Sequence, residues 1–112
     1  MTVNDIVGKL NLTVFGGDKG LNREITGGYV SDLLSDVMGN ASEGEVWVTL
    51  QTHKNVMAVA SLKDVSAVIL VKGLKPDEDM LAQSNEEDIP VLGTEMETFE
   101  LAGQLYGLIK NR

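Results

Sequence analysis

The chain has 112 residues, 43% of them hydrophobic and 23% charged, with a net charge of −8 and no cysteine. That length and composition suit one folded domain with a single core, and the negative balance disfavours binding to phosphate backbones or anionic lipid. Without cysteine there are no disulfides, thiolate metal sites or cysteine nucleophile, which fits a reducing compartment.

The amino-terminal stretch MTVNDIVGKL has no basic leader, and no run approaches the ~20 apolar residues of a membrane span. The expectation is a soluble, cytoplasmic protein. Thr2 with Asp5 forms an N-cap signature, and Val3, Ile6, Val7 and Leu10 share one side of the helix that follows. Residues 12–15, LTVF, read as a strand ending at the turn Gly16-Gly17-Asp18. A loop through Gly20 leads to REITGGYV, a strand interrupted by Gly27-Gly28. Ser31 then stands as N-cap of a short helix carrying Leu33, Leu34, Val37 and Met38, closed by Gly39-Asn40.

VWVTL, residues 46–50, has two apolar faces, as a strand inside a covered parallel sheet requires. Residues 55–62, NVMAVASL, are apolar almost all round, which places this helix between the sheet and a second covering surface, another subunit being one candidate. SAVILV, residues 66–71, is a continuous β-branched run. Pro76 suits a first helical position, with Asp77, Glu78 and Asp79 complementing the dipole of an exposed, acidic helix. IPVLG, residues 89–93, is a last strand, and Thr94 with Glu97 forms a capping box for a helix to about Lys110. Its expected inward stripe is Phe99, Ala102, Tyr106 and Ile109.

Strands alternating with helices imply right-handed crossovers and an α/β fold: one domain over residues 1–112, with a mostly parallel sheet of about five strands covered on both faces. No repeat, low-complexity tract or linker divides the chain.

Ligands of such sheets gather where strand carboxyl ends meet helix N-termini. The junctions here contain Thr26, Gly27 and Gly28; Gln51, Thr52 and His53; and Gly93 and Thr94. Arg23, His53 and Lys54 add donors for an anionic group. The glycine pair admits two readings, a bend needing unusual dihedrals or a loop that a ligand approaches closely. His53 is the single histidine; with no cysteine or second histidine it lacks zinc co-ligands, and neighbouring threonines do not make an activated nucleophile pair. Neither GxxxxGK[ST] nor GxGxxG occurs, so no cofactor or ATP-driven chemistry is indicated. The acidic runs around residues 77–88 read as a solvated face, and Trp47 as core.

GLNREITGGYVSDLLSDV, VWVTLQTH and SAVILVKG together resemble the DRTGG domain, with Asn22 before Arg23 and Thr26-Gly27-Gly28 matching the motif's final letters. The resemblance implies a three-layer α/β/α fold similar to the N-terminal domains of HPr kinase/phosphorylase and the muramyl ligases. It also implies regulation, sensing or assembly rather than catalysis. Members of the family neighbour CBS-domain pairs in regulated pyrophosphatases, or stand alone near hydrogenase components. The expected function is therefore a self-associating, dimeric regulatory module binding a small anionic metabolite or nucleotide. The alternative is an interaction or assembly subunit for a redox or phosphotransfer enzyme.

Overall fold

The computed structural model describes residues 1–110. In chain order these form α1 (Val3–Leu10), β1 (Thr13–Gly16), a 3-10 turn (Asp18–Gly20), β2 (Gly27–Val30), α2 (Leu34–Asn40), β3 (Glu45–Thr49), α3 (Lys54–Lys63), β4 (Ala67–Leu70), α4 (Glu78–Glu87), β5 (Val91–Gly93) and α5 (Thr98–Lys110). The strands make one five-stranded sheet in the order β1-β5-β4-β3-β2. β2 to β5 are parallel and β1 is antiparallel to β5.

The apolar runs of β3 and β4 feed two cores, because successive side chains of a strand point to opposite faces. Val46, Val48, Ala67 and Ile69 join Ile6 of α1 and Leu101 and Leu105 of α5. Trp47, Val68 and Leu70 join Val37 of α2, Met57 and Ala60 of α3 and Met80 of α4. The fold is thus a three-layer α/β/α sandwich. The parallel strands succeed one another in a single direction across the sheet, so right-handed crossovers put α2, α3 and α4 on one face. Only α1 and α5, at the two ends of the chain, remain for the other.

The box at Thr2 forms as expected. Asp5 N–H donates to Thr2 Oγ1 at 3.3 Å and Thr2 N–H to the Asp5 carboxylate at 2.9 Å. The second bond is the main reason the Asp5 carboxyl titrates below its ordinary value. Asp36 titrates low too, chiefly through a hydrogen bond from Ser31 and then one from Tyr29.

α3 and α4 both end on an aspartate in the left-handed conformation, Asp64 and Asp88. Arg23 reaches both ends. Its Nε donates to the Asp88 carbonyl at 3.1 Å and its Nη1 to the Asp64 carboxylate at 3.2 Å. A cation at two helix C-termini also complements their dipoles.

Several local expectations are corrected. α5 turns Leu101 and Leu105 inward, whereas Phe99 is 92% and Tyr106 67% exposed. Two apolar stripes run along this helix, and the leucine stripe takes the sheet. Leu33 rather than Ser31 is the N-cap of α2, the Ser31 hydroxyl accepting from Leu33 N–H at 3.2 Å. Asp77 is the N-cap of α4, which leaves Pro76 outside the helix. Thr94 lies ahead of α5 and accepts from Met96 N–H at 3.1 Å, so it makes an ordinary local turn in place of the capping box. The glycine pair neither interrupts a strand nor bends it: β2 starts at Gly27, and neither glycine has a positive φ. α3 packs sideways against α2 and α4 in the same layer, and its outer side, where Leu62 is 69% exposed, is left uncovered within the chain.

Leu92 is fully buried, whereas Leu62 on α3 is 69% exposed. Urea denaturation should show Leu92→Ala losing roughly 2–5 kcal/mol and Leu62→Ala staying within about 0.5 kcal/mol of the parent. Removing the Arg23 clip by Arg23→Ala should lower stability by about 1–2 kcal/mol, and Arg23→Lys, which lacks the fork, should recover less than half of that.

Candidate functional site

The parallel strands end together at one rim of the sheet, and the segments that leave them are bound to one another. Asp32, which follows β2, accepts from Thr49 Oγ1 at 2.9 Å and from Leu50 N–H at 2.7 Å. Gln51 Nε2 donates to the Asp32 carbonyl at 3.0 Å. Thr52 and His53 then enter α3, with His53 as N-cap. The Thr52 carbonyl accepts from Asp77 N–H at 3.0 Å, and His53 Nδ1 lies 2.9 Å from the Asp77 carboxylate. This pair is open to water, with 68% and 52% of the two side chains exposed.

Across the rim, Lys72 N–H donates to the Met96 carbonyl and Gly73 N–H to the Thr94 carbonyl, each at 2.9 Å. These bonds join the segments that follow β4 and β5. Gly73 has φ +72°, a conformation that a side chain would strain, and its turn carries the chain on to Lys75. Beside it lies a hollow of about 650 Å³ lined by residues including Asn11, Phe15, Gly73, Lys75, Thr94 and Glu95. That size is within the ~300–1,000 Å³ of small-molecule sites. The ring of Phe15 fills the space next to Gly93 that a side chain there would need.

The sequence-derived residues therefore fall into three places. Gln51, Thr52, His53, Gly93 and Thr94 share the carboxyl rim. Arg23 and Thr26 lie at the opposite ends of the strands, about 15 Å away by the length of β3. There Thr26 Oγ1 donates to the Glu43 carbonyl at 2.8 Å. The hollow at that end, about 500 Å³, is lined by Glu24, Glu43 and Asp64 as well as Arg23, and three carboxylates beside an already paired cation oppose an anionic ligand. Gly27 and Gly28 lie on the outer strand β2, beside a groove of about 420 Å³ under α5.

Lys75, Asn11 and Phe15 escaped the sequence reading. Asn11 and Phe15 reach the rim because β1 pairs with β5, a long-range pairing that local patterns do not announce, and Lys75 reaches it by the turn that follows β4. Among the described residues no group of three His, Asp or Glu is placed to hold a metal ion. The rim offers hydrogen-bonding backbone, Lys54, Lys75, Lys72 paired with Glu97, and a solvated histidine–aspartate pair. As a general base the histidine would also need a nucleophile on its other ring nitrogen.

No curated protein matches the chain. Among solved structures, the CBS and DRTGG domains of the regulatory region of Clostridium perfringens pyrophosphatase, complexed with the activator diadenosine tetraphosphate, superpose with a TM-score of 0.69 at 16% identity. The match covers 94% of this chain and 45% of that one, so the chain spans less than half the length of its structural neighbour. The sequence model of the DRTGG domain matches residues 5–108, and the chain belongs to the DRTGG domain family.

Proposed function

We propose that the chain is a non-catalytic regulatory module that self-associates and takes a small anionic metabolite or nucleotide at the carboxyl rim, in the hollow lined by Gly93, Thr94 and Lys75 and onward along the rim toward Gln51–His53. The hollow beside Lys75 carries this reading. It has the volume for such a ligand and sets Lys75 against one acid, Glu95, whereas the hollow at the opposite strand ends sets Arg23 against three acids and the one under α5 is lined mainly by apolar side chains. A regulatory region of related architecture is known in complex with a nucleotide activator, which supports the ligand class.

A second reading, docking onto a redox or phosphotransfer enzyme, is favoured by α4. This helix buries Met80 and Ser84 and presents Glu78, Asp79, Glu86 and Glu87 to solvent. A basic partner surface would be steered to it.

A thermal-shift screen with adenine nucleotides, dinucleoside polyphosphates and pyrophosphate tests the first reading. A ligand at 100 times its Kd adds about 2.7 kcal/mol to native stability, enough to raise Tm by several degrees. Lys75→Ala should abolish that shift and His53→Ala reduce it. Arg23→Ala should keep the full shift from its own lower baseline. No shift with any of these compounds removes the ligand half of the proposal.

A further inference from the structure

We infer that two copies of the chain join through the free edge of β2 and the outward side of α5. A two-fold axis pairs β2 antiparallel with its counterpart and continues the sheet across the dimer. This rests on the self-association proposed above and gives it a surface.

The glycine pair is the first observation. Gly27 and Gly28 are consecutive residues of the edge strand, and neither has a positive φ. A Cβ added at Gly28 would meet nothing nearer than Leu105 at 3.6 Å, and one at Gly27 nothing nearer than Glu45 at 3.4 Å. Neither the dihedrals nor the packing of one copy therefore requires glycine here. Glycine inside a strand otherwise marks the close approach of a ligand or of another backbone, and the unpaired edge beside these two offers room for a backbone.

The two edges of the sheet also differ. β1, at the far edge, is antiparallel and carries a register break between Val14 and Gly16. Such irregularity hinders strand addition. β2 pairs with β3 in unbroken register and has no proline, lysine or bulge of its own. Its outer edge is left fit for pairing.

Beside that edge α5 turns its second apolar stripe to solvent. Phe99 and Tyr106 are 92% and 67% exposed, and Val30 of β2 is 50% exposed. The two aromatics alone offer roughly 300 Å² toward the ~800 Å² that each partner of a stable dimer buries. Glu45 brings the charge in this groove, at its Gly27 end, and its carboxylate already accepts from Ser42 N–H at 2.6 Å.

Charge selects a second copy as the occupant. α5 runs antiparallel to β2: it leaves the carboxyl rim, where the Met96 carbonyl accepts from Lys72 N–H, and its Ile109 lies against Gly28 near the amino end of the strand. The helix has Glu100 in its first turn and Lys110 in its last. A two-fold axis beside β2, level with its middle, sets the two α5 helices antiparallel, with opposed dipoles, and brings each Lys110 level with the Glu100 of the other copy. A parallel arrangement would instead set like charge beside like.

Sedimentation equilibrium on the intact chain, with circular dichroism to confirm folding, tests this surface. The parent should be dimeric, and Tyr106→Glu, at an exposed position, should weaken the dimer roughly tenfold or more. Glu100→Lys and Lys110→Glu should each weaken it, and the double exchange should restore it. Leu62→Glu on α3 should change nothing. A parent that stays monomeric at high micromolar concentration overturns self-association itself. A dimer that is indifferent to Tyr106→Glu, or not restored by the double exchange, overturns this surface and leaves self-association standing.

Discussion

The structure depends on burying β3 and β4 on both faces. Their side chains from Val46 to Val48 and from Ala67 to Leu70 have no exposed surface, and a strand of that composition holds its place only if helices cover it above and below. Because the strands advance in one direction, three crossover helices fall on one face and the other is left to the two ends of the chain. α1 and α5 are thus recruited by the sheet. Two helices cover less than three, and the shortfall lies at β2, where the margin of α5 faces water.

Much of this was legible in the sequence because the decisive signals are local. The unbroken apolar run of β4, the paired faces of β3 and the Thr2–Asp5 box each predict their element from a few residues. Where local signals compete, the outcome is set elsewhere. α5 carries two apolar stripes, and which one is inward depends on the angle at which it crosses the sheet, a tertiary quantity. Ser31 yields the N-cap to Leu33 because its hydroxyl serves a turn two residues ahead of the helix. β1 meets β5 by a pairing across most of the chain, and β5 in turn lies beside β4, so Asn11 ahead of β1 and Lys75 after β4 reach one hollow with no common motif.

The letters of the motif line two different hollows, Arg23 and Thr26 the one at the amino ends of the strands, Gly27 and Gly28 the one under α5. Arg23 fastens the C-termini of α3 and α4, and Thr26 is tied to the Glu43 carbonyl at the amino ends of the strands. Gly44, beside it, has φ +84°, and a side chain there would strike the Thr26 methyl. Adjacent letters in sequence therefore do separate physical work: two hold the loop that delivers β2, and the glycines keep the strand itself bare.

The rim and the edge are still mechanically joined, through Asp32. This residue follows β2, and its carboxylate and carbonyl together hold Thr49, Leu50 and Gln51. Gln51 leads directly to Thr52 and His53, whose partner Asp77 starts α4. The chain of hydrogen bonds from the edge strand to the rim is thus only a few residues long and runs along the surface of the sheet's carboxyl end. A group that displaced the Gln51 side chain would strain its bond to the Asp32 carbonyl, so a change at the rim is passed to the residue that follows β2.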